Sequence, residues 1–233
     1  ADCRPPKKGL RTMSFFASFN GERIVSASVV MPYYGIWTAD VVLASAIAIP
    51  AVATLVIANL TLKGTVFRSA SFAGSRAARI VGGAGGWRKK TTKQAYYDPN
   101  GVRASMVLGD VAAASGETIS LSTDFTVGSS YEREEDAPGS QVLRDLLGEV
   151  WWMDPSGVTQ CQDRTNKTAI TTPFTVGAWS GGKARFEIAT EDLAAWQPGR
   201  TFTSENVPTP QTLNMVSIDV NNDGKLRLEC LTA

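Results

Sequence analysis

The chain has 233 residues and a mass of 24.9 kDa; with 43% apolar and 19% charged residues it is not a disordered polymer. Its 21 Gly and 11 Pro are too few and too irregular for a collagen-like repeat, and a net charge of +1 argues against a generic polyanion binder. It contains no histidine, which excludes Ser-His and Cys-His catalysis and most catalytic zinc sites.

Residues 1–21 read as an N-terminal extension. Lys7, Lys8 and Arg11 have no apolar core behind them, and the next stretch holds only Phe15, Phe16 and Phe19, so no signal peptide is expected. Met13 is the expected natural start, after a short basic extension. Glu22–Met31 reads as a strand, Pro32-Tyr33-Tyr34-Gly35 as a turn, and Ile36–Leu43 as a second strand.

The run Val41–Leu62 is 22 residues without a charge, long enough for a membrane span. Pro50 near its middle, the polar Ser45, Thr54, Asn59 and Thr61, and many alanines weaken that reading. Its second half alternates Val52, Thr54, Val56 and Ala58 against Ala53, Leu55, Ile57 and Asn59, the pattern of a buried strand. Two sheet strands joined near Pro50, and no membrane span, are the expectation. Val52–Ile57, Leu60–Phe67 and Arg76–Val81 complete a first β-barrel domain over 22–97; short strands with turns between them suit a barrel or sandwich.

Gly82-Gly83-Ala84-Gly85-Gly86 invites comparison with a phosphate loop. It lacks the Gly-Lys-Ser/Thr ending and a following helix, so a hairpin or a close backbone crossing is expected. Asp98-Pro99-Asn100-Gly101 reads as a turn. Arg103–Ser115 reads as a helix with Val107, Leu108 and Val111 as its apolar stripe and Gly116 as its left-handed cap. Ser140 is the expected N-cap of a second helix, Gln141–Leu147, whose Val142, Leu143, Leu146 and Leu147 share a face. Glu132, Glu134, Glu135 and Asp136 form an acidic loop; Arg133 within it favours a solvated loop over a Ca²⁺ site. Glu149–Asp154 and Val158–Gln162 form a hairpin about Pro155-Ser156-Gly157. Residues 98–164 thus form a small α/β insert.

Residues 165–233 return to β, with strands at Lys183–Ala189, Thr201–Thr203, Leu213–Val220 and Leu226–Leu231, and are expected to form a second β-barrel domain. Asp219-Val220-Asn221-Asn222-Asp223-Gly224 resembles the start of a calcium loop, but Cys230 stands where the closing Glu belongs and Glu229 is one position early. Flanking alternation makes it a hairpin turn, with no metal. The cysteines Cys3, Cys161 and Cys230 contain no CxxC pair; free thiols are favoured over a Cys161–Cys230 disulfide. The acids offer many pairs for glycoside hydrolysis, and the sequence selects none of them. Neither a cofactor nor an enzymatic activity is expected.

Charge is unevenly distributed. Residues 1–97 carry a net +10 and residues 98–233 a net −9, and no acid occurs between Asp40 and Asp98. Such a bipolar chain suits oriented docking on an acidic neighbour, whether by head-to-tail self-association, against a partner ring, or on nucleic acid. The blander alternative is two solvated faces. The candidate contact residues are Trp87, Arg88, Lys89, Lys90, Lys93, Tyr96 and Tyr97, cations interleaved with rings able to stack on bases. DNA contact, if made, is not expected to be specific.

The order of elements (barrel, helix-containing insert, hairpin, second barrel) resembles the baseplate or tail-tip hub proteins of tailed bacteriophages. Three stretches carry the resemblance: Ile36-Trp37-Thr38-Ala39-Asp40-Val41 leading to Leu60-Thr61-Leu62-Lys63-Gly64-Thr65-Val66; Val142-Leu143-Arg144-Asp145-Leu146-Leu147 followed by Val150-Trp151-Trp152-Met153-Asp154; and Gln197-Pro198-Gly199-Arg200 before Val216–Leu231. The resemblance implies a structural virion protein made in the host cytoplasm. It implies two barrels per subunit and a homotrimeric ring, adapting a sixfold tail tube to a threefold central spike or fibre. Tail-tube or distal tail ring proteins would be its neighbours. The alternative is a carbohydrate- or receptor-binding β module of a virion that uses Trp37, Trp87, Trp151, Trp152, Trp179 and Trp196 to stack sugars. A third class, a peptidoglycan hydrolase, has no motif to support it.

Overall fold

The computed structural model describes residues 17–45, 48–164, 167–180, 184–205 and 207–232. The expected start at Met13, its basic extension and Cys3 lie outside the described residues, as does the side chain of Trp179. The described residues are mainly β, with two α-helices inserted mid-chain.

Six strands close a barrel: β1 (Ala17–Phe19), β2 (Glu22–Pro32), β3 (Thr38–Leu43), β4 (Val52–Ile57), β5 (Leu60–Phe72) and β6 (Ser75–Gly82). They run in the order β1-β4-β5-β6-β3-β2, and β2 pairs back to β1. Alternation decides which side faces inward. Ala39, Val41 and Leu43 of β3, Ala53, Leu55 and Ile57 of β4, and Leu60 and Leu62 of β5 are buried, with polar or partly exposed neighbours between them. The uncharged run 41–62 is therefore built of strands. Its two main strands do not pair with each other, since β3 lies between β2 and β6 while β4 lies between β1 and β5.

The insert contains β7 (Gln94–Arg103), α1 (Ala104–Ser115), β8 (Ile119–Ser120), β9 (Thr126–Arg133), α2 (Gly139–Leu147), β10 (Trp152–Met153) and β11 (Thr159–Gln160). α1 ends as expected, with Gly116 at φ 74°. The expected turn at Asp98–Gly101 lies instead inside β7. Its Asx contact is real, with the Asn100 N–H donating to Asp98 Oδ1 at 2.8 Å, but the turn makes a wide bulge. Pairing with β9 jumps from Tyr97–Ser130 to Val102–Gly128. Ser140 is not the N-cap of α2; Pro138 holds that position without a side-chain cap bond. The helix begins earlier because carbonyls of the preceding basic segment take its first donors, Gly139 N–H to Lys89 O at 3.1 Å and Ser140 N–H to Trp87 O at 2.7 Å. The β10–β11 hairpin closes one end of the barrel, where Trp37 Nε1–H donates to Asp154 O at 3.2 Å and Lys63 N–H to Pro155 O at 2.8 Å.

The last strands are β12 (Phe174–Ser180), β13 (Arg185–Thr190), β14 (Thr201–Ser204), β15 (Val207–Val220) and β16 (Leu226–Thr232). β15 and β16 form the expected hairpin, with Gly224 at φ 73° in its turn. Phe174, Phe186, Trp196 and Phe202 pack edge-on or tilted around one another, with ring centroids 5.0–5.9 Å apart. This group continues the barrel's own sheet. β15 pairs with β2 from Met215–Pro32 to Val220–Ala27, so the order runs on as β2-β15-β16-β13-β12. Ile218 faces Val29 on one side and Leu228 on the other, all three fully buried.

Beside this seam lies a buried cation. The Arg164 guanidinium donates to three carbonyls: Tyr33 O at 2.6 Å, Pro32 O at 2.9 Å and Pro198 O at 3.2 Å. It also stacks over Trp152 at 4.0 Å. Burial pulls its pKa down to about 10, so it remains charged at neutral pH. Cys161 and Cys230 are free and buried, and burial pushes the Cys161 thiol up to about 11.

The seam is testable by one truncation. Ile218→Ala leaves a cavity between two strands that cannot collapse independently, and a loss of about 2–5 kcal/mol in equilibrium urea unfolding is expected. A loss below about 1 kcal/mol would mean that the seam is loosely packed.

Candidate partner-contact site

The seven residues singled out by composition lie on one segment, which leaves the barrel after β6 and leads into β7. The glycine-rich loop at its start is a close crossing, as expected. A Cβ at Gly86 would fall 1.9 Å from the Ser115 carbonyl oxygen, so only glycine fits against the end of α1. The loop also has the donors of an anion-binding nest, and they are already filled. The Glu117 carboxylate, 8% exposed, accepts from Ala84 N–H at 2.9 Å and from Gly86 N–H at 2.5 Å. The chain's own carboxylate stands where a phosphate would have to bind. Nothing in the local sequence marks Glu117, because it lies 31 residues from Gly86.

Trp87 and Tyr96 offer no contact surface, contrary to expectation. Trp87 is 1% exposed and donates from Nε1 to Thr159 Oγ1 at 2.8 Å. Tyr96 is 6% exposed, and burial pushes its phenol up to about 12. Both rings belong to the core under α1, α2 and the β7–β9 ribbon. Tyr97, the next residue on β7, points the other way and is 79% exposed. With two of three rings buried, the segment offers no stacking platform for nucleic acid.

The cations are equally constrained. Lys89 Nζ donates to the Ser115 carbonyl at 3.0 Å, a cation on the C-terminal end of α1 where the helix dipole favours it. Lys90 pairs with Asp136 at 3.4 Å and Lys93 with Glu132 at 2.5 Å. The bond to Glu132 raises the pKa of Lys93. Thr91 N–H donates to Ala137 O at 2.9 Å, and Asp136 N–H donates back to Thr91 O at 3.1 Å. The basic segment and the acidic loop are thus zipped together within one subunit, and Glu132 is part of β9 rather than of the loop. Two of the segment's cations are thus matched by acids of the 98–233 part within the subunit. Among the described residues Arg88, unlike the other three cations, has neither a hydrogen-bond acceptor nor an acid, and its Cζ lies 3.4 Å from the centroid of the Phe67 ring.

Other acids are also engaged in structure. Asp124 accepts from Ser105 N–H at 2.9 Å and from Arg103 Nε at 3.1 Å, capping α1 from a distance. These bonds to Ser105 hold its carboxyl below the usual range. Among the described residues, no three His, Cys, Asp or Glu side chains are grouped to hold a metal ion. No helix of the described residues is long and apolar enough to cross a membrane.

Removing the carboxylate from the loop leaves the buried Gly86 N–H and the part-buried Ala84 N–H without their acceptor. Glu117→Ala is expected to destabilise the protein by about 2–4 kcal/mol, and Glu117→Gln, which keeps one acceptor oxygen, by less. Thermal melts of the three proteins check the order. Equal losses in both variants would mean that packing, not the filled donors, carries the effect.

No protein-family model matches the sequence, and no curated protein matches it. Solved structures do match. The c3393 protein of E. coli, a component of the type VI secretion system with structural similarity to T4 bacteriophage tail proteins gp27 and gp5, superposes with a TM-score of 0.67 at 11% identity, covering 97% of this chain and 76% of that one. A tail protein from Neisseria meningitidis MC58 gives 0.61 at 12% identity, covering 94% and 95%. The 43 kDa tail protein of prophage MuSo2 from Shewanella oneidensis gives 0.64 at 8% identity, covering 94% and 96%. The chain therefore has the fold of phage-type and type VI secretion tail proteins.

Proposed function

We propose that this chain is a non-enzymatic structural protein of a phage-type tail. The observation that carries this reading is the match of 94–97% of the chain, barrel, insert and last strands together, to three separate tail proteins. A shared barrel alone would say little about function, since such folds host many roles. A likeness that spans insert and both β units is more restrictive.

Within the tail, the reading is a hub ring at the tip or baseplate, a homotrimer whose two β units per chain present six to a sixfold tube and hold a central spike or fibre below. The division into 22–97, 98–164 and 165–233 belongs to this proposal. The first β unit closes as a six-strand barrel, and the second has its own aromatic core, which supports two repeated units per chain. The continuous sheet would make them turn as one body. A sugar-stacking module has less support, because Trp37, Trp87 and Trp196 are fully buried and serve packing.

Immunogold electron microscopy and quantitative mass spectrometry of purified particles test the proposal. Label at one end of the tail and a copy number divisible by three are expected. Absence from particles would overturn the tail reading; a copy number not divisible by three would overturn the ring.

A further inference from the structure

Asparagine is followed by glycine twice in this chain, at Asn20-Gly21 and at Asn100-Gly101. Asn-Gly is the dipeptide in which a side-chain amide is lost most readily, because glycine has no Cβ to keep its backbone nitrogen away from the neighbouring side-chain carbonyl. The local chemistry of the two pairs is alike, so a difference in their reactivity has to come from the fold. The fold treats them in opposite ways.

Asn20 sits in the turn between β1 and β2, and both ends of its amide are held. Its Nδ2 donates to Val52 O at 3.0 Å, and its Oδ1 accepts from Thr54 N–H at 2.7 Å. Its own N–H donates to Thr54 O at 2.8 Å. The side chain cannot turn toward Gly21 without breaking its bonds to β4. Asn100 is exposed, and among the described residues its side chain makes no hydrogen bond, while its backbone N–H donates to Asp98 Oδ1 at 2.8 Å. It lies in the bulge of β7, where residues 98–101 stand opposite Ser129 alone, between the pairs Tyr97–Ser130 and Val102–Gly128. Glycine is also fixed at position 101. Its φ is +105°, and a Cβ there would fall 2.3 Å from Thr126 Cγ2. The bulge thus requires the residue that makes Asn100 labile.

We propose that Asn100 is a site of spontaneous deamidation and that the fold protects Asn20 from the same reaction. The Gly101 backbone nitrogen attacks Asn100 Cγ. The new N–Cγ bond closes a five-membered succinimide, the Cγ–Nδ2 bond breaks, and Nδ2 leaves as ammonia with the proton of the Gly101 amide. One water then opens the ring at either carbonyl, giving aspartate or isoaspartate. The step needs no oxidant, reductant or further reactant. Gly101 is itself buried, but the attack is intramolecular, and water has to reach only the exposed Asn100. The product adds a carboxylate two residues from Asp98. Isoaspartate also lengthens the backbone by one carbon, and residues 98–101 can take it because they stand outside the register of β7 and β9. The same lengthening in the β1–β2 turn would pull Asn20 off β4.

Ageing of the purified full chain in mildly alkaline buffer, followed by tryptic mass mapping, tests the site. Trypsin releases the two pairs on separate peptides, Thr12–Arg23 and Gln94–Arg103. In the native protein the Gln94–Arg103 peptide is expected to gain about one mass unit and to become a substrate for an isoaspartate methyltransferase. The Thr12–Arg23 peptide is expected to convert about tenfold more slowly or less, since two hydrogen bonds must first break. In urea the two should convert at similar rates, because the protection is gone. Asn100→Gln should remove the isoaspartate label while its melting curve overlays the wild type. Equal native rates at the two pairs, faster conversion at Asn20, or a ratio that urea leaves unchanged would each overturn the proposal. So would a native Gln94–Arg103 peptide that stays intact after the unfolded chain has converted.

Discussion

The structure depends on six residue pairs between β2 and β15. Without them the chain would be a small closed barrel and a loose group of C-terminal strands tied by the insert. With them the described residues form one sheet of eleven strands that closes on itself at one end. The seam tolerates no slip. A slip of β15 by one residue along β2 would turn Ile218 outward and bring Ser217 or Asp219 into the core opposite Val29. The Arg164 guanidinium stands at the end of the same seam. It bonds Pro32 and Tyr33, where β2 stops, and Pro198, which leads toward β14. A buried guanidinium without a carboxylate is costly unless its donors are satisfied, and here three carbonyls and an aromatic face satisfy it. Its geometry therefore holds the two β units at one angle.

Several of the protein's charges are matched within the fold. Opposite charges that are far apart in sequence meet across strands: Asp40 with Arg79, Glu187 with Arg227, Lys93 with Glu132. Exposed pairs of this kind contribute about 0–1 kcal/mol each, so they refine register more than they stabilise. The same logic explains the glycine-rich loop. A nest of backbone N–H groups attracts an anion, and the fold supplies Glu117 from the end of α1.

Much of the architecture was legible because period-2 alternation is a strong signal in Val, Ile and Leu. Val52–Ile57 was read to the residue, and the hairpin about Gly224 and the Gly116 cap followed from local chemistry. Other elements were hidden for physical reasons. β7 contains Asp-Pro-Asn-Gly, a true turn signature that the fold uses as a bulge inside a strand. β9 holds few large apolar residues, and the alternation of β12 breaks at a bulge between Val176 and Ala178, so no steady period announces either. The contact site was the least legible part. Whether Trp87 faces core or solvent, and whether Lys90 finds Asp136, depends on where the 132–138 segment docks, and that is set by tertiary structure. Arg88 lies at the surface, and its stacking partner Phe67 lies across the loop and carries no marker in sequence.

Native-state hydrogen exchange followed residue by residue tests the seam most directly. If β2 and β15 fuse the two β units, the amides of Val29–Met31 and Val216–Val220 should exchange only through global unfolding, with one shared free energy and one denaturant slope. Exchange of the β15–β16 amides at a distinctly lower free energy than those of the barrel would contradict this, showing that the C-terminal strands open while the barrel stays closed.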